Sequence, residues 1–188
     1  GLYFSRWNEV TPSPPRPAVT SMVVSSTNTA VEPGAGWPWA DYLRRIEQHC
    51  GSALIIDSKN GANDPARGRL EISASWTETA ATAGHYGTGY AFAATQAVSD
   101  PATFWFYLDA PATRTIDAWW TSGTNRAPSA PYLVVTSAGE PLATVYVTQQ
   151  ENGSAWNTLG TWTFPAGWNR VQLSRWTTPG YVVIADAV

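Results

Sequence analysis

His49, Cys50 and His85 are the side chains best suited to hold a transition metal or to act as nucleophile and base. A catalytic zinc takes three protein ligands, most often His, and leaves a fourth position open. Here two of the three donors are adjacent and the third lies in a distant loop. Adjacent residues on a helix point in different directions, so His49 and Cys50 do not make a thiolate–imidazole pair. Cys50 reads instead as a small buried thiol near a helix end. Glycoside hydrolysis needs two carboxyl groups roughly 5–9.5 Å apart across the scissile bond. Glu71 and Glu78 flank Trp76 and can reach one surface, but they read more simply as solvated strand and loop acids. No GxSxG elbow occurs for a serine triad. The residue types therefore assign no catalytic group and no catalytic metal ligand. A structural calcium is the cofactor they allow, with Asp57, Asp64 and Asp186 as oxygen donors beside backbone carbonyls. Turn capping and surface roles account for the same three residues.

The chemistry better served is non-covalent. Eleven Trp and eight Tyr are more large rings than one core needs. Exposed, they make stacking platforms for the apolar faces of sugar rings. Trp119 and Trp120 are consecutive, so on a strand they face opposite ways. The strand phase puts Trp120 inward with Ile116 and Ala118, and Trp119 outward. Asn125 and Arg126 follow in a loop and can donate to hydroxyls or a carboxylate, although Arg126 suits equally well a clamp on loop carbonyls. Tyr132 completes this patch. His85 and Tyr86, set among glycines, form a second one. Trp156, after the Asn152-Gly153 hairpin signal, reads as core; Trp168 and Trp176 sit near turns and read as exposed.

These residues need a scaffold, and the bulk composition allows one. A 188-residue chain with 44% hydrophobic residues suits a domain plus an appendage. Charged residues make up only 13% and the net charge is -3, so no basic stripe exists to neutralise phosphates and nucleic acid is disfavoured. No apolar run approaches the ~20 residues needed to cross a bilayer, so membrane insertion is not expected. The opening lacks a basic region followed by an apolar stretch, so a secretory leader is expected upstream. Gly1 to Ser5 resemble a protease-site scar and carry no functional weight. A single Cys excludes an internal disulfide. Lys59 is the sole lysine among eleven basic residues, which with abundant Ala, Thr and Gly points to a GC-rich bacterial genome.

The elements follow from periodicity. Residues 1–36 are expected as a linker or extended surface segment, because Pro12, Pro14, Pro15 and Pro17 break any helix; Met22-Val23-Val24 can pair as an edge strand. Residues 37–50 are predicted as a helix, with Pro38 in its first turn, Trp39, Tyr42, Leu43 and Ile46 as one stripe, and Gly51 as its stop. From 51 to 188 the pattern is β. Leu54-Ile55-Ile56 reads as a strand, as do Leu70 to Thr77, the run after the GHYGTGYAFA loop, ATFWFYLDA, and Arg114 to Thr121. Tyr132 to Ser137, Ala143 to Gln149, Asn157 to Phe164, Asn169 to Leu173 and Tyr181 to Val188 complete them. Such a series of short strands predicts an all-β, jelly-roll-like antiparallel β-sandwich with one N-terminal helix.

Four stretches carry a family resemblance: HYGTGYAFA at 85–93, AWWTSGTNRAPSAPYLV at 118–134, VTQQENGSAWNTLGTWTF at 147–164 and GYVVIADAV at 180–188. In order and spacing they resemble the golvesin-like domain, which also occurs at the C-terminus of xanthan lyases and on several bacterial cell-wall and polysaccharide enzymes. The resemblance implies a β-sandwich accessory module over Asp57 to Val188 that binds rather than catalyses. A shorter stretch, VEPGAGWPWADYLRRI at 31–46, looks like the tail of zinc-dependent N-acetylmuramoyl-L-alanine amidases, although His49 and His85 sit in no amidase-like motif. The expectation is a secreted or cell-surface module, bacterial or phage-encoded. Its partners would be a cell-wall glycan or extracellular polysaccharide and an upstream catalytic domain. A peptidoglycan hydrolase fragment and a structural or protein-interaction module are the alternatives.

Overall fold

The computed structural model describes Tyr3–Phe4, Met22–Val23, Ala30–Val31 and residues 53–188. The chain divides into two units, Gly1–Ala53 and Leu54–Val188. In the first, β1 (Tyr3–Phe4), β2 (Met22–Val23) and β3 (Ala30–Val31) pair antiparallel in that order. Met22-Val23 is thus the middle strand of a small sheet rather than an edge. The helix expected over 37–50 lies outside the described residues.

The second unit carries the remaining strands: β4 (Gly68–Glu71), β5 (Thr77–Thr79), β6 (Tyr90–Ala94), β7 (Ala102–Leu108), β8 (Ala112–Ala118), β9 (Ala130–Val135), β10 (Pro141–Val147), β11 (Asn157–Phe164), β12 (Gly167–Leu173) and β13 (Val182–Ala185). One sheet runs β10-β9-β12-β7-β4, every pair antiparallel. A second set runs β11-β8 and β13-β6-β5. The Trp119–Ala187 bridge joins these two pieces, with the Trp119 amide donating to the Ala187 carbonyl at 2.9 Å. The result is an all-β jelly-roll of two layers.

The layers close on alternating apolar residues. Phe104 and Phe106 of β7, Val134 of β9, Val171 and Leu173 of β12, and Phe164 of β11 are buried, and Phe106 meets Phe164 edge-on at 5.1 Å. Each fully buried side chain of this size contributes about 1.5–3 kcal/mol. Gly68 is required where Ile56 crosses β4, since a Cβ there would lie 1.9 Å from the Ile56 Cδ1.

Two strand expectations change. Leu70 to Thr77 does not run through: β4 stops at Glu71, and the Ser73 hydroxyl accepts the Ser75 amide to make a turn. Trp76 is still buried, its indole donating to the Asp100 carbonyl at 3.2 Å. Leu54-Ile55-Ile56 precedes an isolated bridge rather than forming a strand, and Ile56 and Val188 exchange backbone hydrogen bonds at 2.8 and 3.1 Å.

Candidate functional site

Three connections meet around Trp119: the β5–β6 loop, the β8–β9 connection and the β10–β11 connection. Tyr86, Trp119 and Trp156 come one from each. Their ring centroids lie 5.8 Å apart for Tyr86–Trp119, 5.2 Å for Tyr86–Trp156 and 5.5 Å for Trp119–Trp156, all tilted or edge-on. Such pairs add about 0.5–1.5 kcal/mol each beyond burial, so the triangle holds its own shape. The Trp119 indole donates to the Gly84 carbonyl at 2.9 Å, fixing that ring against the β5–β6 loop. A Cβ on Gly84 would lie 1.9 Å from the Ser154 Oγ, which shows how closely this loop packs on the β10–β11 connection. Tyr86 and Trp119 are half-buried, while Trp156 is 39% exposed and is the most open to water of these three rings.

Trp156 was not expected here. Its neighbours Asn152-Gly153 do turn the chain, with Asn152 at φ 55° and Ser154 at φ 59°. The strands they join, β10 and β11, belong to different sheets, so the turn is a crossover and not a hairpin. That crossover is what delivers Trp156 to Tyr86 and Trp119. Nothing in the local pattern reveals it.

The other expected site residues separate. Trp120 is buried at 2% exposure and its indole donates to the Glu151 carbonyl at 3.0 Å. Tyr132 is placed in the core at 1% exposure, its hydroxyl accepting from the Gln149 amide at 3.2 Å, so it does not line the surface patch. Burial pushes its phenol pKa up. Arg126 is also buried; it donates to the Thr121 carbonyl at 3.4 Å, to the Thr82 hydroxyl at 3.1 Å and to the Asn125 side chain. The guanidinium is therefore a clamp tying the β8–β9 connection to the β5–β6 loop. Asn125 is exposed, with its amide oxygen turned back to Arg126. His85 is half-buried, its ring 6.2 Å from that of Tyr90.

Two buried carboxylates, Asp57 and Asp186, lie against the Tyr86-Gly87 turn. Asp186 accepts the Tyr86 amide on both oxygens, at 3.1 and 3.3 Å. Asp57 accepts the Lys59 amide at 2.7 Å, and its other oxygen would lie 2.2 Å from a Cβ on Gly87, which sits at φ +53°. Burial pushes the Asp186 carboxyl up to about 8; the Tyr86 amide opposes this and the Asp57 charge adds to it. Of the three calcium candidates, Asp57 and Asp186 come together, whereas Asp64 accepts the Ala66 amide at 3.0 Å in a separate turn. Among the described residues no group of three or more His, Cys, Asp or Glu side chains is placed to hold a metal ion. His49 and Cys50 lie outside the described residues. Glu71 and Glu78 are held apart in pairs of their own, with Arg69 at 3.0 Å and Lys59 at 3.3 Å.

With this geometry in view, known proteins supply the context. A Paenibacillus xanthan lyase superposes with a TM-score of 0.55 at 30% identity, over 71% of this chain and 12% of that one. Looser likenesses are a family 35 carbohydrate-binding module from Clostridium thermocellum and a Podospora anserina GH26-CBM35 β-(1,4)-mannanase. The first has a TM-score of 0.49 at 12% identity, over 71% of this chain and 93% of that one. The second has a TM-score of 0.46 at 15% identity, over 64% and 26%. No curated protein matches the sequence. The chain thus spans a small fraction of the lyase it is similar to. Residues 62–188 match the Golvesin C-terminal domain, and the chain belongs to that family.

Proposed function

We propose that this chain is a non-catalytic module that binds a polysaccharide through the Tyr86–Trp119–Trp156 cluster and serves an attached polysaccharide-degrading enzyme. The observation that carries this is the ring triangle itself: three aromatics from three connections, pre-packed on one another, with Trp156 39% exposed. A soluble domain gains nothing in stability from presenting an indole to water, but a pyranose ring stacks on one readily. Support also comes from the xanthan lyase, a polysaccharide enzyme of which the matched region is 12%. A cell-wall or extracellular glycan, met outside a bacterial cell, is the ligand class this reading favours.

The same reading keeps a structural calcium for the Asp57–Asp186 pair. The pair offers the hard carboxylate oxygens that calcium takes, and charge neutralisation would relieve the cost of burying both.

The test is co-sedimentation of the full chain with purified bacterial walls and with insoluble glucans, alongside release of reducing ends from the same polymers. Retention by at least one polymer, lost in Trp156→Ala, with no release of reducing ends, is expected. Absence of retention on all of them, or release of sugar by the chain alone, would overturn the reading.

A further inference from the structure

The β10-β9-β12-β7-β4 sheet carries a second aromatic surface on the side away from the core. Arg69 of β4, Trp105 of β7 and Arg170 of β12 occupy directly opposed register positions. The alternate residues of β7 and β12, Phe104, Phe106 and Val171, are core, so the Arg–Trp–Arg row faces outward. The Arg69 guanidinium carbon lies 5.4 Å from the centre of the Trp105 ring and 4.6 Å from that of Trp168, and the Arg170 carbon lies 5.1 Å from Trp105. Tyr107 lies against Trp168 at 5.4 Å. Glu71 accepts from Arg69 Nε at 3.0 Å and from the Trp105 indole at 2.8 Å.

This surface spends large side chains where small polar ones would suffice for a solvated sheet. Its charge is also unbalanced. Glu71 occupies only the Nε of Arg69, and among the described residues Arg170 has no carboxylate partner. A basic face thus stands on a chain whose net charge is -3. A guanidinium within about 6 Å of an indole centre is held by cation–π attraction, and its N–H groups that have no other partner can meet a planar oxyanion. Carboxylates fit such groups in bidentate fashion.

We propose that this face is a second glycan-binding surface, separate from the loop cluster, and that it takes a carboxylate-bearing polysaccharide. Arg170 and the remaining N–H groups of Arg69 receive carboxylates, and the ring edges of Trp105, Trp168 and Tyr107 line the path of the sugar backbone. The surface requires nothing of Tyr86, Trp119 or Trp156, so it stands or falls independently of the loop site.

Affinity electrophoresis of the full chain in gels containing polygalacturonate, alginate or methyl-esterified polygalacturonate tests this. Both polyuronates are expected to retard the chain in a salt-sensitive way, and the ester, which keeps the backbone but loses the charge, is not. Arg170→Gln is expected to weaken polyuronate binding about tenfold, the loss of one charge-assisted contact. Trp156→Ala is expected to leave it unchanged. Near-UV circular dichroism confirms that each variant folds, and Arg170→Gln carries the test if Arg69→Gln does not. Equal retardation by the ester, no retardation by either polyuronate, an unchanged Arg170→Gln, or tighter retention by a single-stranded oligonucleotide would each overturn the proposal.

Discussion

The Asp186 carboxylate accepts the backbone amide of Tyr86, so a buried acid of the last strand region holds the loop that presents an aromatic of the candidate site. The loop's conformation is thereby coupled to the protonation of a group 100 residues away in sequence.

Burial raises the Asp186 pKa from its ordinary 3.8 to about 8. Between these values the folded chain retains a proton that the unfolded chain has released, so stability falls as pH rises through that window. In the presence of a chelator, the melting temperature is expected to decline from pH 5 to pH 8.5. Asp186→Asn is expected to flatten that decline, and thermal melts across the range check it.

A calcium ion between Asp57 and Asp186 would reverse the trend. Millimolar calcium is expected to raise the melting temperature at pH 8.5 more than at pH 5, and to have little effect on Asp186→Asn. Identical melts with and without calcium at pH 8.5 would remove the ion from the account.

Trp156→Ala is expected to remove polymer retention while leaving the domain folded, at a cost of about 1–3 kcal/mol for its two aromatic pairs, because this ring is 39% exposed and its contacts are to other half-exposed rings. Paired co-sedimentation and chemical denaturation separate the two effects. A variant that unfolds but still binds when folded would place the ring in the scaffold.

Arg126→Ala should act in the opposite way. It leaves the Thr121 carbonyl and the Thr82 hydroxyl without their buried cationic donor, a loss of about 1.5–3 kcal/mol. Urea denaturation measures that loss. Direct ligand contact by Arg126 would instead show as lost binding with stability intact.

Gly87→Ala tests the turn above the acids. Alanine at φ +53° costs about 1–2 kcal/mol, and its Cβ would strike the Asp57 carboxylate. A lowered melting temperature with weakened polymer retention is expected, and a variant that melts like the parent would show that the turn relaxes freely.

Much of this was legible in the chain itself. Period-two alternation in ATFWFYLDA and around Ile116, Ala118 and Trp120 specified strands with a defined inner face, since successive side chains must point to opposite sides. That rule also places Trp120 inside and leaves Trp119 at the surface. Alternation says nothing, however, about which strands neighbour one another. The crossover from β10 to β11 carried Trp156 to Tyr86, the closing residues 186–188 met residues 56–58 to bury two acids together, and β4, β7 and β12 aligned two arginines across one indole. Tyr132 reads as a surface donor because tyrosine commonly is one, and packing between the layers gives it a buried partner; for Arg126 the residue type leaves ligand contact and loop clamp level, and the loops Thr121 and Thr82 come from decide for the clamp. Local sequence determines what a strand is and which way it faces, because those depend on steric periodicity. Only the tertiary fold decides which distant side chains share a site, because that depends on long-range strand pairing.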